Sequence, residues 1–220
     1  ALLIWTTTPW TLPGNMAAAV NQGIIYAKFQ IPNSKFYYIV AKNRAEEVFK
    51  DLGHTLVEEF KGSALIGKKY EPPFDYYKDT PLPHKENAWK VYHAPYVSTD
   101  EGTGIVHLAP AFGEDDLTLA QSNGIPVVHH VSTDGKFKTE VRDFAGMPVK
   151  PKGDHQSADI EITKNLAQRS LLFKKEKITH SYPLCWRCET PLLNYAANSW
   201  FVAVTKIKDK LVAANKEIRC

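Results

Sequence analysis

With 220 residues, 44 % of them hydrophobic and 23 % charged, the chain has the size and balance of a soluble protein with a full core. No apolar run approaches the roughly 20 residues that cross a bilayer, which excludes a helical membrane protein. Its three cysteines, Cys185, Cys188 and Cys220, make no disulfide framework, so a reducing cytoplasmic setting fits best. The net charge of +3 hides an asymmetry: residues 1–149 carry 14 Lys/Arg against 17 Asp/Glu, and residues 150–220 carry 13 against 7. A basic excess of that kind is either solvated surface or a contact with a polyanion such as nucleic acid.

The chain opens in mid-strand without a methionine, so it reads as a domain from a longer protein. Apolar residues 1–4 form a strand feeding a hydroxyl-rich loop, where Thr6, Thr7, Thr8 and Thr11 fall within six residues. Pro9 and Pro13 fix φ and remove donors, so the loop should be rigid and non-helical. Trp5 and Trp10 wall it in. Asn15 either hydrogen-bonds a ligand or caps residues 16–20.

Further along, residues 24–31 and 36–40 read as a hairpin around Pro32-Asn33-Ser34. Residues 43–52 have helical periodicity, ended by Gly53, and 55–59 read as a strand. Residues 61–88, dense in Gly, Pro and Tyr, should wrap the surface. Residues 89–97 make a strand that Pro95 confines to an edge or bulge. Gly102 and Gly104 permit tight backbone and close approach of a ligand. Behind them Ile105-Val106 is a short buried strand delivering His107. Gly113 then precedes Glu114, Asp115 and Asp116 in the first turn of a helix running to Gly124, where acids suit the positive helix end.

Residues 125–131 and 137–141 read as strands joined at Thr133-Asp134-Gly135-Lys136, and 143–153 as a linker. A helix follows at 157–169, with Ala158, Ile162 and Leu166 on one face, and then a basic strand at 171–178. Cys185 and Cys188 have the spacing of half a zinc ribbon. His180 supplies at most a third ligand, so a zinc would have to be shared with a cysteine pair outside this chain. Residues 204–216 are Lys-rich and amphipathic. Many short strands and few helices indicate an α+β fold dominated by a β-barrel. The barrel core takes residues 1–150, a flanking helix and strand 151–180, and a partial zinc ribbon with a basic segment 181–220.

Three blocks carry a resemblance. The run from Thr6 through Thr8, Pro9, Trp10, Thr11 and Leu12 to Asn15 resembles the threonine-rich peptide of the editing domain inserted into isoleucyl-tRNA synthetases. Gly102 to Pro110, with Gly113 to Asp116, resembles that domain's second motif. Cys185-Trp186-Arg187-Cys188 with Ser199-Trp200-Phe201-Val202 resembles the return into the synthetase body. The valyl and leucyl relatives carry Arg-Pro after their threonines, where this chain has Thr8-Pro9-Trp10-Thr11.

The resemblance implies a barrel-dominated editing fold of the kind shared by valyl-, isoleucyl- and leucyl-tRNA synthetases, and hydrolysis of valine misattached to tRNA(Ile). One methylene is worth only ~1–3 kcal/mol in a synthetic pocket, a limit for which the isoleucyl enzyme is the standard example, so a second sieve is needed. By this resemblance Asp116 grips the α-ammonium. Thr6, Thr7 and Thr8 line the pocket around the ester and its water. His107 discriminates by size or, alternatively, acts as a base. Asn15 hydrogen-bonds substrate, and Trp10 packs a wall or stacks a base. Apart from the resemblance, backbone N–H groups in the threonine loop or near Gly102–Gly104 are candidates to bind an oxyanion. No cofactor is implied for the hydrolysis. The implied partners are the acceptor end of tRNA(Ile) carrying valine and the rest of the synthetase chain, with no membrane. The rival reading is a non-catalytic tRNA-binding module of the same fold.

Overall fold

The computed structural model describes residues 1–179 and 181–218. Six strands form two three-stranded sheets. In the first, β1 (Ala17–Val20) lies between β5 (Lys90–His93), which it meets in parallel, and β6 (Val106–Leu108), which it meets antiparallel. In the second, β2 (Ile25–Gln30) lies between β3 (Tyr37–Ala41) and β4 (Thr55–Lys61), both antiparallel. The expected closed barrel is therefore not what the described residues form. Its strands are too short, and residues 125–131 and 137–141, expected as strands, are irregular or turn; residues 61–88 carry little regular structure, as expected. Val131 meets Phe137 through a single bridge, although the turn between them forms as expected, with Gly135 at φ +77°. The basic segment 171–178 is not a strand either.

Residues 1–5 form no ladder of their own but stitch the two sheets together. Leu3 N–H donates to Ile39 O at 3.2 Å, and Trp5 N–H to Ile105 O at 3.2 Å. Ala41 N–H adds a bond to Thr103 O at 2.8 Å. The alanines after Asn15 are strand β1 rather than a capped helix. All four β1 residues are buried on both faces, and ladders on both sides outweigh alanine's helix preference.

Helices are few. The periodic stretch at 43–52 shrinks to a 3-10 turn and one α turn, α1 (Ala45–Val48). A helix this short gains most of its stability from packing, here Ala45 and Phe49 against the second sheet. α2 (Glu114–Asn123) ends on Gly124 in the left-handed region at φ +62°, as a glycine stop requires. α3 (Ser157–Gln168) buries Ala158, Ile162 and Leu166, the four-spaced face, against the 3-10 helix Pro9–Gly14. The largest core cluster joins that helix to β1, β6, Phe112, Ile125, Phe137 and α3. By contrast α4 (Val204–Glu217) buries no residue, and Trp200 and Phe201 are 101 % and 90 % exposed.

Candidate active site

The threonine loop is built by its own hydroxyls. Thr8 N–H donates to Thr6 Oγ1 at 3.1 Å, so residues 6–8 close on themselves. The chain then enters the 3-10 helix with Pro9 at its first position and Pro13 inside. Pro13 has no N–H to give to Pro9 O, the bond an α-helix would need there. Thr11 N–H and Thr11 Oγ1 both donate to Thr8 O, at 3.0 and 2.8 Å. Thr8 Oγ1 lies 3.4 Å from Thr11 Oγ1 and 3.5 Å from Thr6 Oγ1, while Thr7 is exposed.

Strand β6 carries His107 into this wall, opposite Ala18 of β1. The imidazole is 6 % exposed, and both nitrogens are engaged. Nε2 lies 2.9 Å from Thr11 Oγ1, and Nδ1 lies 2.9 Å from Asn15 Nδ2. Asn15 Nδ2 also donates to Ala17 O at 3.0 Å, and Asn15 Oδ1 accepts from Tyr70 Oη at 2.6 Å. An amide nitrogen only donates, so Nδ1 is the acceptor and Nε2 carries the proton. Burial lowers the His107 pKa to about 3, which keeps the ring neutral. A neutral ring with both nitrogens committed is poorly suited to act as a base; it is a rigid part of the wall.

Asp116 is held just beyond β6. Ala109 N–H, two residues beyond His107, donates to Asp116 Oδ2 at 2.8 Å. Gly113 makes room for this carboxylate, since a Cβ there would lie 2.9 Å from Asp116 Cγ and Oδ2. Desolvation raises the Asp116 pKa to about 6, the Ala109 bond opposes it, and no cationic side chain contributes. The group is a half-buried carboxylate, and among the described residues it has no cationic partner.

Other residues singled out from the sequence lie elsewhere. Trp10 is 3 % exposed and packs edge-to-face on Phe112 with ring centroids 5.3 Å apart. Its backbone serves the loop: Trp10 N–H donates to Asp159 Oδ1 at 2.9 Å, and Trp10 O accepts from His130 Nε2 at 3.1 Å. Gly104, at φ +74°, makes room for Ala41, whose Cβ would lie 2.6 Å from a Gly104 Cβ. It therefore sits at the joint of the two sheets. The cysteines form a small knuckle, with Cys185 N–H on Thr190 O at 2.8 Å and Glu189 N–H on Cys185 O at 2.8 Å. Hydrogen bonds from Thr190 and Cys185 lower the Cys188 thiol to about 7. Among the described residues no group of three or more His, Cys, Asp or Glu could hold a metal ion. His180, the suggested third ligand, and Cys220 lie outside the described residues.

Four partners of the wall were not singled out from the sequence: Tyr70, Asp159, His130 and the bonding role of Thr11. Thr11 was findable, because its three-residue offset from Thr8 is that of a 3-10 turn. Tyr70 and Asp159 reach the loop across 55 and 149 residues, and no local pattern marks such contacts.

No family model matches the chain. Over 219 residues it is 44 % identical to the isoleucine–tRNA ligase of Bdellovibrio bacteriovorus, and over 217 residues 42 % identical to that of Clostridium tetani. Both alignments cover 99 % of this chain. The chain is similar throughout to one segment of the isoleucine–tRNA ligases. It spans about one fifth of the length of these curated relatives, 20 % in each. The resemblance carried by the threonine loop and the His107–Asp116 block thus extends along the whole chain. Among solved structures, the crystal structure of GlLeuRS-CP1 matches with a TM-score of 0.57 at 18 % identity, over 80 % of this chain and 84 % of that one. That likeness is one of fold. No described helix is long and apolar enough to cross a membrane.

Proposed function

We propose that this chain is the editing domain of an isoleucine–tRNA ligase and hydrolyses the ester of valine misattached to tRNA(Ile). The observation that carries this reading is the pairing of two environments along one short stretch of chain. His107 is wired through both nitrogens into the threonine wall, and, two residues on, Ala109 N–H holds Asp116, a carboxylate with no cationic partner among the described residues. The α-ammonium of an aminoacyl ester is the cation that carboxylate suits.

In this mechanism Asp116 holds the ammonium, and the ester lies against Thr6, Thr7 and Thr8. Water adds to the ester carbonyl carbon, the bond to the ribose oxygen breaks, and that oxygen takes up the proton. The products are free valine and uncharged tRNA. An aminoacyl ester is already activated, so orientation and hydrogen bonds to the developing oxyanion supply the gain. His107 serves as a steric stop, because a ring held at both nitrogens cannot retreat from the extra methylene of isoleucine. Asn15 holds that ring, Trp10 backs the wall, and Gly104 keeps the sheets in contact.

Residues 1–150 form the hydrolytic core in this reading, 151–180 flank it, and 181–220 return toward the rest of the ligase. The basic excess after residue 150 suits the acceptor end of tRNA(Ile). The hydrolysis needs no cofactor, and any zinc at Cys185 and Cys188 would be shared with cysteines beyond this chain. The setting is the cytoplasm, where aminoacyl-tRNA is made. The test is deacylation of valyl- and isoleucyl-tRNA(Ile) by this chain, alone and as the matching segment of a full-length ligase. The valyl ester should be cleared well above the uncatalysed rate and the isoleucyl ester spared. Binding of tRNA with background hydrolysis in both settings would favour the non-catalytic module instead.

A further inference from the structure

The irregular stretch between β4 and β5 contributes one group to the wall, the hydroxyl of Tyr70. Its backbone is pinned beside β5 by Tyr70 N–H donating to Trp89 O at 3.0 Å and by the Lys69–Lys90 bridge. Asn15, the residue it touches, is held from several sides. Asn15 N–H donates to Leu12 O at 3.0 Å, and Asn15 O accepts from Trp89 Nε1 at 3.0 Å. Only the side-chain amide retains a choice, because its oxygen and nitrogen ends have nearly the same shape.

The Ala17 carbonyl only accepts, so it takes Asn15 Nδ2, which also points at His107. That leaves Asn15 Oδ1 toward Tyr70, whose phenol burial keeps protonated and which donates to it. Nδ1 of the ring must then be bare, and Nε2 must carry the hydrogen that Thr11 Oγ1 accepts. The Thr11 hydroxyl proton is in turn directed to Thr8 O. The donors run one way, from Tyr70 through Asn15, His107 and Thr11 to the Thr8 carbonyl.

We infer that Tyr70 is a positioning residue that, together with Ala17 O, holds Asn15 in the orientation that sets the tautomer of His107 and, through it, the direction of the Thr11 hydroxyl in the wall. This deepens the hydrolytic reading above and rests on it for its consequence in catalysis. With Thr11 committed, Thr6 Oγ1 keeps a proton to donate, since it already accepts Thr8 N–H. Thr8 Oγ1 keeps lone pairs for a water. Without the phenol, Asn15 Oδ1 loses its partner, and the Ala17 carbonyl alone holds the amide. The ring then samples both tautomers, and the Thr11 hydroxyl is free to turn toward Nε2.

Histidine 15N NMR on the chain reads the tautomer without any assay of activity. The native chain should show His107 as a single Nε2–H form. Tyr70→Phe keeps the ring and should introduce the Nδ1–H form. Asn15→Asp, whose carboxylate only accepts, should make Nδ1–H predominate. In a full-length ligase carrying this segment, Tyr70→Phe should lower kcat for valyl-tRNA(Ile) hydrolysis about tenfold, the effect of one lost hydrogen bond, with KM little changed. A pure Nε2–H form in a folded Tyr70→Phe chain overturns the inference. So does an Nε2–H form that survives Asn15→Asp, the variant that decides should Tyr70→Phe not fold. A tautomer that moves while kcat does not overturns its part in the reaction. A tautomer that moves where the native ligase hydrolyses nothing supports the wiring and overturns the hydrolytic reading instead.

Discussion

The hydroxyl wall and Asp116 are engaged at the two ends of the short stretch 107–109, His107 in β6 and Ala109 just beyond it, and their electrostatic states are opposite. In the wall, His107, Asn15, Thr11 and Tyr70 meet one another's donors and acceptors within 2.6 to 2.9 Å. Asp116 has one backbone donor, no cation and a raised pKa. The contrast separates two tasks. Groups that must hold a shape are satisfied inside the protein, because an unmet buried polar atom costs about 1–3 kcal/mol. A group that must hold a ligand is left short of a partner, and the ligand completes it.

If that division is right, the two ends should fail differently. The largest effect should come from behind the wall, at Gly14. A Cβ there would sit 2.1 Å from His130 Nδ1, and His130 is fully buried between Phe112 and Phe137. Gly14→Ala should therefore cost about 3 kcal/mol of stability in a urea titration, as overpacking does. A loss below about 1 kcal/mol would mean the wall is softer than its hydrogen bonds suggest.

Asp116→Ala should act in the reverse sense. Hydrolysis of valyl-tRNA(Ile) should fall about 100-fold, the size of a lost charge-assisted contact, while stability at neutral pH should not fall, because the desolvation cost of the carboxylate is removed. Unchanged hydrolysis would refute its hold on the ammonium.

The smallest effect separates the two ends by pH. Asp116 must be ionised to hold an ammonium, so kcat/KM should decline below about pH 6, by about tenfold per unit. Stability carries the other sign for the histidines. His107 and His130 titrate near 3 when folded and at about 6.5 when unfolded, so the unfolded chain takes up protons first and stability falls as pH drops from 6.5. Asp116 opposes this, because its folded pKa of about 6 lies above the unfolded 3.8, and the folded state gains protons between those values. Removing it in Asp116→Ala should steepen the loss of stability between pH 6 and 4 by about 1.4 kcal/mol per pH unit. Equal slopes in the two proteins would place Asp116 in water.

Local pattern made part of this legible. The hairpin of β2 and β3, the glycine stop of α2 and the apolar face of α3 follow from periodicity and turn chemistry, and they form where expected. The expected barrel did not form. Its residues 125–131 and 137–141 have strand composition, yet they share only the Val131–Phe137 bridge and the bond from Lys138 N–H to His130 O, and their other bonds go to turns, Met147 and Trp10. Ala17, Ala18 and Ala19 carry helical preference and became a central strand, because β5 and β6 offered partners on both sides.

Chain order and residue chemistry alone supply the inventory: four threonines stiffened by two prolines, a histidine ahead of an acid-rich helix start, and a cysteine pair with half the ligands of a zinc ribbon. Which of them meet is settled by packing in space. His107 reaches Thr11 across 96 residues and Asn15 across 92, and Tyr70 and Asp159 come from stretches whose composition announces no site. Hydrogen-bond direction and proton position depend on what lies within 3 Å in space. The chain specifies that distance only once β1, β5 and β6 have paired.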